Sequence, residues 1–168
     1  MGTEMNHLQG EAAGECIKKM VEDTRTCVMI TRLDARPFHI RPMAIQKVDD
    51  KGSIYFFSDS SSDKNADLTA SDEMHLVFSN ESKSEYLSLY GRATVYRNQE
   101  EIDEMYSAFV STWFDGKEDP RITIIRFNPS EGHYWDTKNG KLVALAGMVF
   151  GAITGKETDN SLEGDLKL

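Results

Sequence analysis

The chain has 168 residues and a mass of 19.0 kDa, which fits one domain whose core needs neither disulfides nor a metal. Its 19 basic and 28 acidic side chains give a formal net charge of −9, which argues against a sequence-independent nucleic-acid binder because such a protein needs a cationic face. No apolar run approaches the roughly 18 residues of a membrane span, and the N-terminus lacks a signal-peptide pattern. We therefore expect neither nucleic acid nor membrane as a partner.

The hydrophobic spacing predicts helices and strands in a mixed order along the chain. Residues 1–9 are expected to be frayed, and apolar residues at helical spacing predict a helix over 10–22. Further helices are predicted over 62–70 and 100–113, the last from a strong three- and four-residue repeat. Runs rich in β-branched and aromatic residues predict strands over 24–33, 38–48, 53–58, 75–79, 86–96, 122–127 and 132–137.

The C-terminal part of the sequence is less informative. Residues 142–153 are apolar with interleaved glycine and alanine, a composition that fits either a helix or an interface segment. Residues 155–168 are polar and aperiodic, and we predict a disordered tail there. The predicted organisation is therefore a single domain over 1–154 followed by this tail.

The order of these elements predicts the fold class. The strands follow one another as hairpins without a helix between each pair, which favours an antiparallel sheet. Six or seven strands with two or three helices on one core predict an α+β protein with a barrel-like sheet. A doubly wound nucleotide fold needs alternating strands and helices with a Gly-rich turn, and the sequence has neither.

The sequence offers little support for metal or nucleophilic chemistry. Cys16 and Cys27 are too few for a disulfide framework, and they favour a protein of the reducing cytosol. The histidines show no HxxxH or HExxH spacing, so we predict no metal site; they are His7, His39, His75 and His133. There is no GxSxG elbow and no GxxxxGK[ST] loop, and no side chain is assigned a catalytic role.

The most informative stretch contains two cations and several hydroxyls around a helix start. Arg41 lies on one predicted strand and Ser58 ends the next, while Ser62 is a suitable N-cap for the helix that carries Lys64. Hydroxyls, free backbone N–H groups and two cations form a mechanism for holding a phosphate. The alternative is a polar loop with a capping serine, a solvated Lys64 and Arg41 in a surface ion pair.

Several short motifs in this order resemble the pyridoxamine 5′-phosphate oxidase-like flavoproteins, and among them the general stress protein group. The pieces are RPMA at 41–44, IYFFS at 54–58 with Lys64 six residues later, YLSLYGRA at 86–93, WF at 113–114, DP at 119–120 and YWD at 134–136. Each piece alone is weak, but the ordered set covers residues 10–140 and is specific.

This resemblance implies an antiparallel split β-barrel, of Greek-key type and flanked by helices, that forms a homodimer and binds FMN at the subunit interface. Arg41, Ser58, Ser62 and Lys64 then correspond to the family's phosphate ligands, and Trp135 to an aromatic residue supplied across the dimer, although core packing is equally compatible with it. The full implied cofactor set is Arg41, Pro42, Met43, Ala44, Phe57, Ser58, Ser62, Lys64 and Trp135.

Two departures from the family pattern bear on activity. Asp63 occupies a position at which the oxidases proper carry an arginine, which removes a phosphate ligand and adds a like charge. The segment after Trp135 lacks the Arg-x-His pair that grips the oxidases' substrate phosphate, so oxidation of pyridoxamine phosphate is not expected. The resemblance thus implies a cytoplasmic FMN-dependent oxidoreductase acting on an unknown small molecule or a nicotinamide reductant. The alternatives are a non-catalytic flavin sensor or carrier, and a relative that uses haem or deazaflavin.

Overall fold

The computed structural model describes residues 4–137 and 161–168, and within these ranges one sheet of ten strands dominates. The strands are β1 (Glu4–Met5), β2 (Leu8–Gln9), β3 (Thr26–Thr31), β4 (His39–Ala44), β5 (Lys47–Val48), β6 (Ile54–Asp59), β7 (Glu73–Asn80), β8 (Glu85–Tyr96), β9 (Ile122–Thr137) and β10 (Ser161–Lys167). The helices are α1 (Gly10–Glu22), α2 (Asp63–Ala70) and α3 (Gln99–Met105), with 3-10 turns at Glu81–Lys83 and Val110–Thr112. The predicted α+β class is confirmed. Strands β3, β4, β6, β7 and β8 were predicted, whereas β9 joins two predicted strands and β10 was not predicted.

The sheet closes on itself as a barrel. Hydrogen-bonded neighbours run in the order β9–β8–β7–β3–β4, all antiparallel, and β6 pairs with β9 on the other side. The gap between β4 and β6 is bridged because the chain continues from β4 into β5, which pairs with β6. The backbone N–H of Gln46, between β4 and β5, also donates to the carbonyl of Tyr55 at 2.9 Å.

Strand β9 belongs to two parts of the sheet, which splits the barrel. Its first half, from Ile122 to Phe127, pairs with β6, and its second half, from Glu131 to Thr137, pairs with β10. The sequence analysis predicts two strands here, but a single 16-residue strand spans both. It runs antiparallel to β8 along nearly its whole length, with one register shift at Tyr90/Gly91.

Two hydrophobic clusters fill the two sides of the sheet. The larger occupies the barrel interior and is sealed by α1, which buries Ala13, Cys16, Ile17, Met20 and Val21. The smaller lies between β6, the first half of β9 and the segment that follows α3; its buried members are Phe57, Ile102, Val110, Phe114, Ile122 and Ile124. The second cluster matters for function because it holds the 110–114 segment against the end of β6.

The predictions for both chain termini are wrong where the structure describes them. Residues 161–167 form a strand rather than a disordered tail, and β1 and β2 pair with it in parallel, so the start of the chain is not frayed there. Alternation explains the strand: Leu162, Gly164 and Leu166 are buried, while Asp165 and Lys167 are exposed. The predictions for 142–153 and 155–160 lie outside the described residues.

The helix predicted over 100–113 is also shorter than its hydrophobic period suggested. It begins after Asn98, whose side chain accepts a hydrogen bond from the Glu101 backbone N–H, and it ends at Met105 because Tyr106 has an extended backbone. A separate 3-10 turn carries Val110 into the smaller cluster. The apolar residues do recur at helical spacing, but α3 and the 3-10 turn, rather than one long helix, place them against the sheet.

Candidate functional site

A cavity of about 330 Å³ lies between β4, the end of β6, the start of α2 and the 110–114 segment. Its polar lining residues are Ser58, Asp59 and Lys64, at the end of β6 and the start of α2, and Gln46, between β4 and β5. The other lining residues are apolar. Of the residues that the resemblance implied as cofactor ligands, the cavity brings together Pro42, Met43, Ala44, Phe57, Ser58 and Lys64.

The polar end is organised around the Ser58 hydroxyl. Ser58 is buried at the end of β6, and its Oγ donates to Asn65 Oδ1 at 2.7 Å and lies 3.0 Å from Ser62 Oγ. Ser62 occupies the N-cap position of α2, as predicted, but its side chain bonds to Ser58 rather than capping a backbone N–H group. Ser58 and Lys64 therefore meet at the cavity, whereas Ser62 contacts Ser58 from behind and does not itself line the cavity.

Lys64 is the cation of this end. It is half-buried, and no described residue accepts a hydrogen bond from its ammonium group or forms an ion pair with it. Burial lowers the pKa of Lys64, and the positive charge of Arg41 lowers it further, while the carboxylates of Asp59 and Asp63 act in the opposite direction. A desolvated ammonium beside a second cation favours an anionic ligand.

Arg41 is close to this end but does not line the cavity. Its Nη1 donates to Thr31 Oγ1 at 2.8 Å and its Nη2 donates to Asp67 Oδ2 at 3.2 Å. Because Thr31 and Asp67 are buried, this ion pair is not the surface pair that the sequence left open as an alternative. The implied direct contact between Arg41 and a phosphate stays a prediction.

The apolar walls form a slot suited to a flat ring. The β4 backbone at Pro42, Met43 and Ala44 lines one part, and Phe57, Val110 and Phe114 line another. Trp113 stands at the mouth with 55% of its surface exposed, in an edge-on contact with Phe109 at 4.6 Å between ring centroids. An aromatic ligand can therefore pack on carbon while an anionic group reaches Lys64.

Trp135 lies elsewhere in this protomer. It is on the outer face of β9, its ring is 4.5 Å from that of His133, and it does not line the cavity. The implied role across a dimer stays a prediction.

Sequence reasoning missed several residues of the site. Asn65 joins α2 to the sheet, because its Oδ1 accepts from Ser58 and its Nδ2 donates to Thr123 Oγ1 at 2.9 Å. One wall of the cavity consists of Val110, Trp113 and Phe114. These residues come near β6 only because α3 ends at Met105 and the chain changes direction there. Asp67 was overlooked because, on a short polar helix, it is typical of a solvated face.

Across residues 4–137 and 161–168, no group of three or more His, Cys, Asp or Glu side chains could hold a metal ion. Among the helices described there, none has the length and apolar character needed to cross a membrane.

Comparison with known proteins matches this geometry to a family. The family described as "Pyridoxamine 5′-phosphate oxidase like" matches residues 12–159. The chain belongs to this family. Protein bli-3 of Neurospora crassa is 25% identical over 140 residues, covering 76% of this chain and 67% of that protein.

Two solved structures share the split-barrel fold. A putative general stress protein 26 from Jannaschia sp. CCS1 superposes with a TM-score of 0.70 at 23% identity, covering 90% of this chain and 96% of that one. The general stress FMN/FAD binding protein from Xanthomonas citri superposes with a TM-score of 0.61 at 20% identity, covering 89% and 95% of the two chains. The resemblance to the pyridoxamine 5′-phosphate oxidase-like and general stress proteins is thus confirmed.

Proposed function

We propose that this pyridoxamine 5′-phosphate oxidase-like protein binds FMN in the cavity beside β4 and β6. The observation that carries the proposal is the half-buried Lys64 ammonium, which no described residue pairs, beside Ser58 in a cavity whose lining is mostly apolar. FMN has the same division, with a planar ring at one end and a phosphate of charge near −2 at the other. The Xanthomonas citri protein described as FMN/FAD binding supports the choice of a flavin.

The residues present fit such a cofactor, and each has a defined task. Lys64 would neutralise part of the phosphate charge, and the first backbone N–H groups of α2 would donate to the phosphate. The Ser58 hydroxyl would have to turn from Asn65, and the Ser62 hydroxyl from Ser58, to do the same. Pro42, Met43 and Ala44 lie where the ring would pack, opposite Val110 and Phe114. When bound, FMN supplies hydride-transfer chemistry at its ring.

We also propose that two copies of the chain assemble into a homodimer. The outer faces of β3, β4, β7, β8 and β9 carry exposed apolar side chains, namely Val28, Ile40, Val77, Tyr86 and Trp135. Val28 and Val77 are directly paired in the sheet, as are Tyr86 and Trp135, so the patch is continuous across strands. A continuous apolar surface of this kind favours burial against a partner.

The assembly has a direct test. Light scattering of the purified protein should report a particle of twice 19.0 kDa. Val77→Glu, which places a charge in the patch, should give the single-chain mass, whereas Thr94→Glu on an exposed part of β8 should leave the dimer intact. A wild-type protein of single-chain mass at micromolar concentration would contradict the proposal.

The proposed activity is that of a flavin-dependent oxidoreductase acting on a small molecule or a nicotinamide reductant. Asp59 and Lys64 are the ionisable side chains that line the cavity. We assign Lys64 to the phosphate, and the Asp59 carboxylate already accepts hydrogen bonds from Ser61 and lies 3.6 Å from Arg121, so neither is assigned to proton transfer. The chain would therefore position the ring and exclude water instead of supplying an acid or a base. We place this function in the cytoplasm, a reducing compartment compatible with the free thiols of Cys16 and Cys27.

The absorbance spectrum of the purified protein tests the cofactor first. Flavin maxima, or a saturable change on titration with FMN, are expected. A Soret band would indicate haem instead, and a protein that binds no flavin would overturn the proposal. Bleaching of the bound flavin by NADH or NADPH would then favour an oxidoreductase, and a flavin that neither reductant bleaches would favour a sensor or carrier.

A further inference from the structure

Asp67 holds the second cation of the site in an internal network. Its Oδ2 accepts hydrogen bonds from Thr31 Oγ1 at 2.6 Å and from Arg41 Nη2 at 3.2 Å, and it lies 2.9 Å from His39 Nδ1. The Asp67 side chain is only 9% exposed. Burial alone would raise its pKa, but the hydrogen bonds from Thr31, His39 and Arg41 outweigh burial and lower it, so the carboxylate is ionised at neutral pH.

Both terminal nitrogens of Arg41 make bonds within this network. Nη1 donates to Thr31 and Nη2 to Asp67, while the next residue, Pro42, lines the cavity. The Arg41 charge nevertheless lowers the pKa of Lys64, so the guanidinium lies within electrostatic reach of the anion-binding end. Two of the five guanidinium N–H groups bond Thr31 and Asp67 and hold Arg41 away from the cavity lining, so the guanidinium has to leave Asp67 to contact a phosphate there.

We propose that Asp67 is a specificity-determining residue that competes with the ligand's phosphate for Arg41. The inference rests on the proposed flavin function and goes beyond it, since it states what limits the preference for a phosphorylated ligand. Exchange of one charge-assisted bond for another contributes little net affinity. In the wild-type protein Arg41 therefore contributes little to the preference for a phosphorylated over an unphosphorylated ligand, and Lys64 supplies most of that preference.

A different role for Asp67 predicts the opposite sign. If the carboxylate instead oriented Arg41 for contact with the phosphate, its removal would weaken the binding of a phosphorylated ligand. A third role, as a nearby negative charge only, would make its removal favourable whether or not Arg41 is present. Competition is the case in which the gain depends on Arg41.

The experiment is a double-mutant cycle on the preference for FMN over riboflavin, which lacks the phosphate. The ratio of the two dissociation constants is measured by flavin fluorescence at about pH 8, where the phosphate is a dianion. Asp67→Asn should raise the preference about tenfold, the scale of one charge-assisted contact. In an Arg41→Ala background the same substitution should raise it less than about threefold, because no guanidinium is left to release.

Two further variants complete the test. Asp63→Asn removes the same formal charge from the exposed first turn of α2. Its effect on the preference for FMN should be smaller than that of Asp67→Asn and should be the same with and without the Arg41→Ala substitution. Thr31→Val removes the hydroxyl that bonds both Arg41 and Asp67 without changing charge, so it should raise the preference even if Asp67→Asn fails to fold.

The outcomes separate this inference from the proposed function. A lower FMN preference in Asp67→Asn or in Thr31→Val, or an equal rise from Asp67→Asn in both Arg41 backgrounds, would overturn competition while leaving flavin binding intact. A wild-type protein that binds neither flavin would overturn the proposed function and this inference with it.

Discussion

The Ser58 hydroxyl donates a 2.7 Å hydrogen bond to the side-chain carbonyl of Asn65, which ties the end of β6 to the first turns of α2. Asn65 in turn donates to Thr123 Oγ1 on β9, and the Thr123 hydroxyl donates to the carbonyl of Ser58. This closed loop of hydrogen bonds fixes the distance between the end of β6 and the start of the helix that carries Lys64. It is the scaffold of the anion-binding end.

Asn65→Ala should therefore lower the free energy of unfolding by about 1–3 kcal/mol, because buried polar partners lose their bonds. It should also weaken FMN binding, since the start of α2, which carries Lys64, is no longer held against the end of β6. Urea unfolding measures the first effect and flavin titration the second. Thr69→Ala is the control and should change both quantities little, because it removes from the same helix a hydroxyl that donates to the Asn65 backbone carbonyl and leaves the Asn65 side chain in place. Wild-type stability in Asn65→Ala would show that the loop is not a structural constraint.

Lys64→Ala should weaken FMN binding by roughly 10- to 100-fold and leave riboflavin binding nearly unchanged, because one charge-assisted contact with the phosphate is lost. Arg41→Ala should lower the preference for FMN over riboflavin much less than Lys64→Ala, because Asp67 already holds the Arg41 guanidinium and only the Asp67 charge is left uncompensated. Asp63→Arg should strengthen FMN binding, since it replaces a like charge with a cation at the helix start. Equal losses for both flavins in Lys64→Ala would mean that the substitution damages the fold, and the phosphate assignment would be wrong.

The preference for FMN over riboflavin should fall at alkaline pH, and the fall should begin at a lower pH than it would with a lysine of ordinary pKa. Burial and the neighbouring Arg41 charge lower the pKa of Lys64 below its usual value of ~10.4, so the ammonium that binds the phosphate is lost sooner as the pH rises. Lys64→Arg should hold the preference to higher pH because a guanidinium stays charged. The ratio of the two dissociation constants, measured from about pH 7 to pH 10, checks this, and identical profiles for both proteins would contradict it.

Gly164→Ala should lower the free energy of unfolding by about 1–3 kcal/mol. A Cβ atom at this position of β10 would lie 1.8 Å from the Asn6 carbonyl oxygen, which also accepts the Tyr134 hydroxyl hydrogen bond at 2.7 Å. The segment that carries β1 and β2 must then move away from the sheet. Thermal or urea unfolding measures the loss, with Lys167→Ala on the exposed side of the same strand as the control. Unchanged stability would mean that pairing of β10 with the N-terminal segment contributes little.

The sequence by itself determined the local elements and the part of the site that lies within one of them. The period of apolar residues predicted α1 with its observed bounds, Gly10–Glu22, because burial on one face repeats with the helical turn. Ser58, Ser62 and Lys64 were predicted to meet because they fall within seven consecutive residues of a strand, a loop and a helix start. Such proximity follows from chain geometry before any tertiary contact forms.

Only the tertiary structure decided the remaining features. Asp67 and Arg41 are 26 residues apart and Asn65 and Thr123 are 58 apart, and nothing in either local pattern links them. The strand at 161–167 forms because β9 offers it a partner edge, although its own sequence is too polar to predict burial. Side-chain periodicity reports which face of an element is buried, whereas the partner that buries it is chosen by packing of the whole barrel.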